Sequence, residues 1–501
     1  MLIWLILIPV LAAACIGLLK TPGKLTALIS ATLTLILGLV ALWAEYYCGC
    51  CDGCDSGSML QLTIDRHILP LSGIMVLLTL IVTFAAVLGL KAPNADAERS
   101  WAISALLLST GALGAFMSDD IIAFYGFHEL ALIPTFIMIG CYGRGDRRSI
   151  AWTATLYLRL ASMVLLAGLL MLCMEMHAWS FSRLAAAVHA GIVPTHPCVI
   201  AGLLLAGFGT LLSLFPFHSW AAPAYASAPT PIAMLHAGVL KKFGLYGLFT
   251  IAVIMGDKCN YLFGEWNNLL LLLLLGNVLW VGYVTVAQTR LDDMLGNSSV
   301  MHMGYLFLAF AAYIACGGQN ETAFCGAAAL MFAHGLTIAL LFLLTGQIES
   351  QTKTLELDAM GGLARKLPAL GFFFGLAGLA SIGLPLLANF VGEFTVFISC
   401  FVGWAPTHAD CDCCLGTLAN LFGGLGPVQL TLIFALWGLV ISAIYMLRAF
   451  RNVFEGEIGH ATERAGKLCC SDLVAAGFLA FFIVLFGVLP TLFPGITFIG
   501  L

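Results

Sequence analysis

A chain of 501 residues that is 61% hydrophobic and only 9% charged, with a mean hydropathy of +1.02, is excluded from the ordinary soluble class, where roughly a quarter of residues are charged. Its net charge of −5 says little about partners, because in a bilayer protein the positions of the positive residues matter more than their total. No nucleic-acid partner is expected; the lipid bilayer is.

A spanning helix needs about 20 predominantly apolar residues, and such windows run almost end to end. Fourteen are predicted, at 1–19, 25–47, 69–90, 100–117, 119–141, 149–173, 196–215, 229–255, 266–288, 294–317, 322–346, 369–400, 427–449 and 472–495. The chain is read as one all-α membrane domain over 1–501. The first span has no Lys or Arg before its apolar run and no clear small-residue cleavage site after it, so it is expected to stay as a helix.

After the second span comes a cysteine cluster, CGCCDGC at 48–54. The fifth span carries Glu129 within IIAFYGFHELALIPTF, with His128 beside it and no Lys or Arg in the helix. Arg159 interrupts the sixth span roughly at its middle. The seventh ends in LFPFHSW, which contains His218. The eighth holds His236 and then Lys241 and Lys242. His302 opens the tenth span, and His334 lies in the eleventh next to Gly335. The twelfth carries Gly383, Pro385 and Asn389 just before Glu393. A second cluster, CDCC at 411–414, precedes the thirteenth span.

With the N-terminus outside, the inward loops hold fifteen basic residues and the outward loops only Arg66, Arg183 and Lys258. The positive-inside rule then places both termini on the outer face and favours an even number of spans. Both cysteine clusters fall on that face, with Cys198, Cys259, Cys316 and Cys400 near it. In an oxidising compartment these read as loop-stapling disulfides, with a metal ion held alongside Asp52, Asp55, Asp410 and Asp412, or free thiols, as the alternatives.

A charge at bilayer depth is costly, so an intramembrane ionisable residue is a candidate functional group by default. Each one alone could be a structural pair that locks helix packing. Six helices carrying such groups point instead to a buried polar chain. Non-helical backbone at membrane depth is tolerated where it is buried or lines a wet cavity, and interrupted helices in two separated regions suggest a repeat-built transporter with a central ion path. Simple proline kinks are the plainer account of the breaks.

The blocks FYGFHELALIPTFIMIGCYG, FPFHSWAAPAYASAPTP, HAGVLKKFGLYG, SSVMHMGYLFL, HGLTIALLFLLTGQIESQTKTLELDAMGGLA and GLPLLANFVGEF resemble, in order, those of the antiporter-like membrane subunits of respiratory complex I, over roughly residues 60 to 450. The resemblance is greatest to the M-type branch, which corresponds to subunit 4 of the mitochondrial enzyme. It implies two inverted five-helix repeats with broken helices seven and twelve, a first half-channel region over 119–255 and a second over 266–450. It gives Glu129 the role of modulating a neighbouring lysine, Lys242 that of the connecting axis, His302 and His334 polar positions of the second half-channel, and Glu393 its terminal ionisable group. His218 and His236 complete the candidate set. Where the family has a seventh-helix lysine as partner of the fifth-helix glutamate, this chain has Leu211, so Arg159 or Lys241 is expected to supply the positive charge.

The resemblance implies a proton-translocating, non-redox subunit of an NADH-quinone oxidoreductase in the cell's inner (plasma) membrane. Its partners would be sister antiporter-like subunits, and NAD, FMN, iron–sulfur clusters and quinone would belong to partner chains. The sequence itself shows no nucleotide, flavin or iron–sulfur signature. A subunit of a multi-subunit Mrp-type cation/proton antiporter, a membrane-bound hydrogenase module and a structural scaffold remain the alternatives.

Overall fold

Lipid gives the backbone no hydrogen-bond partner, so each N–H and C=O of a spanning segment must be satisfied within the protein. The computed structural model describes residues 2–48, 69–402 and 425–492. Among them the chain is helical throughout, with no strand and only two isolated bridges, Asp120 with Ser180 and Arg290 with Glu356.

Helices α1 (Leu2–Leu19), α2 (Gly23–Cys48), α3 (Leu69–Leu88), α4 (Ala95–Met117), α5 (Ile121–Tyr142) and α6 (Arg147–Met176) fall on the first six predicted spans. The starts of α4, α5 and α6 are set by short polar residues that satisfy otherwise orphaned N–H groups. Asn94 caps α4 by accepting from the Ala97 amide at 2.8 Å, and Asp120 caps α5 by accepting from the Ala123 amide at 2.7 Å. A short helix absent from the predicted spans, α7 (Phe181–His189), buries Phe181, Leu184 and Val188. Nine amphipathic residues are too few for a bilayer-length window to detect.

The seventh predicted span holds α8 (Pro197–Leu211), which unwinds before the span ends, and a further short helix, α9 (Ala221–Ser227), follows beyond the span. The eighth is also broken, which its proline-free middle did not suggest: α10 (Thr230–Gly238) passes through a 3₁₀ turn at Leu240–Lys242 into α11 (Phe243–Met255). In the ninth, α12 (Cys259–Leu275) meets α13 (Gly282–Ala287) across a π-turn at Gly276–Val281. Helices α14 (Leu291–Ala315) and α15 (Glu321–Thr352) are unbroken. After the one-turn α16 (Leu363–Lys366), the twelfth span divides into α17 (Pro368–Ile382) and α18 (Ala388–Ser399), with Gly383 and Leu386 at positive φ between them. The last described helices are α19 (Pro427–Ala435), α20 (Trp437–Phe454) and α21 (Cys470–Val488). Eleven helical stretches among the described residues are long and apolar enough to cross a membrane, one of them the 58-residue run Thr230–Ala287, while α8 and α17 are apolar but shorter.

Burial separates the lipid-facing rim from the axis. Every residue in the most apolar window of α15 is buried, against 28% in that of α1. Helix α15 packs against α3, α10, α14, α17, α18 and α21, which makes the α14–α15 pair the centre of the bundle. Several loops expected on the inner side meet around one cavity of about 500 Å³ lined by Lys91, Arg144, Glu349, Lys353 and Asp472. There Lys91 pairs with the fully buried Asp472, and Arg144 Nε donates to Glu349 at 2.8 Å.

The two cysteine clusters lie outside the described residues, apart from Cys48 at the end of α2. Cys198, Cys259, Cys316 and Cys400 are free thiols, which corrects the expectation that these four take part in loop-stapling disulfides. Cys259 and Cys400 are buried against helix ends, where a small apolar thiol is already well placed without a bridge.

Candidate functional site

The polar axis begins where α10 crosses α15. A Cβ added at Gly335 would stand 2.7 Å from the Gly238 carbonyl oxygen, and one at Gly238 would stand 3.0 Å from that of Gly335. The two glycines therefore bring backbones closer than any side chain would permit. The turn that follows Gly238 carries Lys242, whose Nζ donates to the Ala237 carbonyl at 2.8 Å and lies 3.0 Å from His334 Nδ1 on α15. Both side chains are buried.

From His334 the chain of rings continues to His302 of α14, with centroids 5.7 Å apart. His302 does not sit at a helix opening as the span boundaries suggested. It is the twelfth residue of α14, because that helix starts at Leu291, earlier than predicted. Its Nε2 is held between Tyr445 Oη at 3.3 Å and Ser381 Oγ at 3.5 Å. Its Nδ1 faces Glu393 Oε1 at 3.5 Å, and neither of these two atoms makes a hydrogen bond. Glu393 packs over the break between α17 and α18: a Cβ at Gly383 would run into its Oε2. Lys242, His334, His302 and Glu393, drawn from four separate elements, thus form one buried file.

Lys241 points elsewhere. Its Nζ donates to the Ser299 carbonyl at 3.1 Å and lies 5.3 Å from the centre of the Tyr225 ring. The cation paired with Glu129 is Arg159, through Nη1 and Oε2, so the proposed alternative partner, Lys241, is corrected. The 3₁₀ turn carries the adjacent lysines to different neighbours, one toward α14 and one toward α15. His128, 4.0 Å from the second Glu129 oxygen, is buried and stacked on Phe243, the residue after Lys242, at 4.0 Å. His236 is buried against Trp220 and Tyr225, and its Nδ1 has no hydrogen-bond partner. His218 lies half-buried in the α8–α9 break, stacked on Phe215.

Residues not singled out from sequence hold this arrangement. Asn277, in the π-turn, accepts from the Phe215 amide at 2.7 Å and donates to the Ser213 and Val300 carbonyls at 2.9 and 3.1 Å. It thereby satisfies backbone freed by the break after α8. A lone amide in the apolar run LLLLLLLGNVLWV was an available signal for it. Tyr445 donates or accepts at Ser298 Oγ, 2.7 Å away, as well as at His302, and Thr337 donates at 2.9 Å to Oδ1 of Asn389, the residue already marked from sequence beside the twelfth-span break. A tyrosine or threonine in a spanning helix gives no comparable signal. No group of three or more His, Cys, Asp or Glu side chains among the described residues is placed to hold a metal ion.

Comparison with known proteins agrees with this architecture. The family model described as NADH:quinone oxidoreductase/Mrp antiporter, TM, matches residues 118–408, more than half of the chain and including every residue of the polar file. The chain is 33% identical over 353 residues to NAD(P)H-quinone oxidoreductase chain 4 1 of Synechococcus sp. (strain JA-2-3B'a(2-13)), an alignment covering 70% of this chain and 62% of the relative. It is 26% identical over 417 residues to NADH-quinone oxidoreductase subunit M of Rickettsia prowazekii (strain Madrid E), covering 83% and 78%. The chain thus spans about three fifths of the first of these relatives and more of the second. Its fold matches a chain of respiratory complex I from Thermus thermophilus with bound NADH at a TM-score of 0.81, with 24% identity and 99% and 97% of the two chains covered. With the family model and the helical architecture in agreement over the same residues, this chain belongs to the NADH:quinone oxidoreductase/Mrp antiporter transmembrane family.

Proposed function

We propose that this chain is a proton-translocating membrane subunit of an NADH-quinone oxidoreductase, and that it performs no redox chemistry itself. The observation that carries this is the buried file Lys242–His334–His302–Glu393, with successive separations of 3.0, 5.7 and 3.5 Å. Lysine, histidine and glutamate can each gain or release a proton, and burial penalises whichever form is charged. A proton on Lys242 Nζ has His334 Nδ1 as its acceptor. Transfer between the two rings calls for a rotation or a bridging water, and Glu393 Oε1 is the acceptor opposite His302 Nδ1. The α10–α11 break carries Lys242 itself and the α17–α18 break packs against the Glu393 carboxyl at Gly383, so a small shift of irregular backbone at either end alters the file's contacts.

The names of the relatives support the oxidoreductase reading. Its redox cofactors (NAD, FMN, iron–sulfur clusters and quinone) would reside in partner chains, and sister antiporter-like subunits would flank this one. The proposal includes fourteen spans, counting Thr230–Ala287 as two crossings and α8 and α17 as parts of one each, arranged as two inverted five-helix repeats. It also includes a plasma-membrane location with both termini outside, supported by the distribution of basic loop residues.

The test is proton translocation and quinone reduction by the purified, reconstituted complex with Glu393→Gln. The expected result is that both fall together. Unchanged translocation and reduction would overturn the reading. The family description also covers Mrp antiporters, and cation/proton exchange in the absence of an electron donor would favour that function instead.

A further inference from the structure

We propose that the cavity where the basic loops meet binds a phosphate ester that carries an ammonium group, the chemistry of an ethanolamine phospholipid headgroup or of the free ester. At about 500 Å³ it has the size that small ligands occupy. It lies between the loop after α3, the starts of α4, α10 and α21, and the ends of α5 and α15. Trp101 and Tyr142 line it with their rings nearly perpendicular and 6.4 Å apart. Tryptophan and tyrosine near helix ends are the side chains of the headgroup level.

The polar groups around this cavity are of two kinds. Arg144 and Glu349 are engaged by the fold: Nε of Arg144 donates to Glu349 at 2.8 Å, Nη2 meets the other carboxylate oxygen, and Nη1 donates to the Ala226 and Ala228 carbonyls at 3.1 and 3.0 Å. They form a wall. The others are left open. Trp101 Nε1 is buried with no acceptor, and Oδ1 of the fully buried Asp472 has no donor, although Oδ2 is paired with Lys91. The Lys353 ammonium makes no hydrogen bond or ion pair among the described residues, and Lys91 Nζ, which has three donors, spends one on Asp472.

A buried donor and a buried acceptor are both costly to leave unpaired, so these open atoms describe their occupant. The two lysines and the indole N–H call for acceptor oxygens, which a phosphate offers on several sides. The Asp472 oxygen calls for a donor, and a carboxylate is met best by an N–H that carries charge. A bare phosphate turns an anionic oxygen toward Asp472, and a choline ester has no N–H to give it. An ethanolamine phosphate supplies both groups on one short chain. Its occupant would touch Thr230 and Gly346, at the near ends of α10 and α15, and so bear on the two helices that cross at Gly238 and Gly335.

The test uses the full chain with the subunits it purifies with, depleted of lipid in detergent and given a phosphatidylethanolamine whose photoreactive group sits beside the phosphate. Adducts are mapped by mass spectrometry. They are expected within residues 89–101 and 343–353, which line the cavity, and about tenfold fewer with the matching choline probe. Lys353→Gln and Trp101→Phe should each lower labelling about tenfold, the scale of a hydrogen bond to a charged group. Trp101→Phe keeps an aromatic ring against Tyr142 and removes the N–H, so an unchanged unfolding temperature separates lost binding from lost fold. Excess soluble phosphoethanolamine distinguishes the sources: displacement of the probe assigns the site to the free ester, and persistence assigns it to the lipid. Absence of adducts in the cavity, which then holds water alone, would overturn the proposal. So would equal labelling by the choline probe or full labelling of Trp101→Phe.

Discussion

The two halves of this bundle hold their charges in different ways. The second half, with Lys242 at its junction with the first, holds its groups inside: Lys242, His334, His302 and Glu393 are all buried, come from separate elements and stand in line along the α14–α15 axis. In the first half the pair Glu129 and Arg159 sits at the rim with the arginine half exposed, and the position where the family's lysine would stand is the buried Leu211. The difference is chemical as well as spatial. A lysine can surrender its proton when desolvated, but an arginine remains charged. Arg159 can hold Glu129 in place, yet it cannot pass a proton onward as a lysine could. The second half is built as a relay and the first as a fixed charge pair facing outward.

The strongest way to break this comparison is Lys242→Met. It removes the titratable group between the α10 turn and His334 without shortening the side chain much, and should reduce proton translocation on the order of 10²-fold, the scale of a positioned proton-transfer group. Translocation that survived this change while being lost with Leu at position 159 would reverse the assignment of the two halves.

A subtler change tests whether the file depends on the helix crossing. In Gly335→Ala, the new Cβ would stand 2.7 Å from the Gly238 carbonyl and push α10 from α15. The expected costs are about 1–3 kcal/mol of stability and a lengthened Lys242–His334 contact, read as a lower unfolding temperature and a partial loss of translocation. Full stability and full translocation would show that the close approach is dispensable.

The smallest effect belongs to the rim pair. Arg159→Leu should cost about 1–2 kcal/mol in the solubilised chain, since the pair is partly exposed and removing one member leaves the other uncompensated. Adding Glu129→Leu should recover most of that loss. A double-mutant cycle with no coupling would mean that the two side chains do not stabilise each other and that the first half holds no fixed pair.

Much of this organisation is legible in the sequence. Glu129, Arg159, Lys241, Lys242, His302, His334 and Glu393 stood out because ionisable groups are conspicuous in apolar spans, and the breaks near Pro216 and Pro385 announced themselves through proline and glycine. The break between α10 and α11 did not, because no proline marks it; it comes from the packing of Gly238 against Gly335, more than ninety residues apart. Asn277 was visible as a lone amide but its purpose was not, since its three partners, Phe215, Ser213 and Val300, lie on either side of it in the chain.

The sequence by itself determined that the chain is a bundle of membrane helices and which side chains are costly enough there to require a reason, because hydropathy and charge are properties of short windows. Only the tertiary structure decided which of those side chains meet. Adjacent Lys241 and Lys242 diverge to Ser299 and His334, Arg159 rather than Lys241 reaches Glu129, and His302 lies opposite Glu393. Those pairings depend on where helices cross and unwind, and residues distant in the chain fix both.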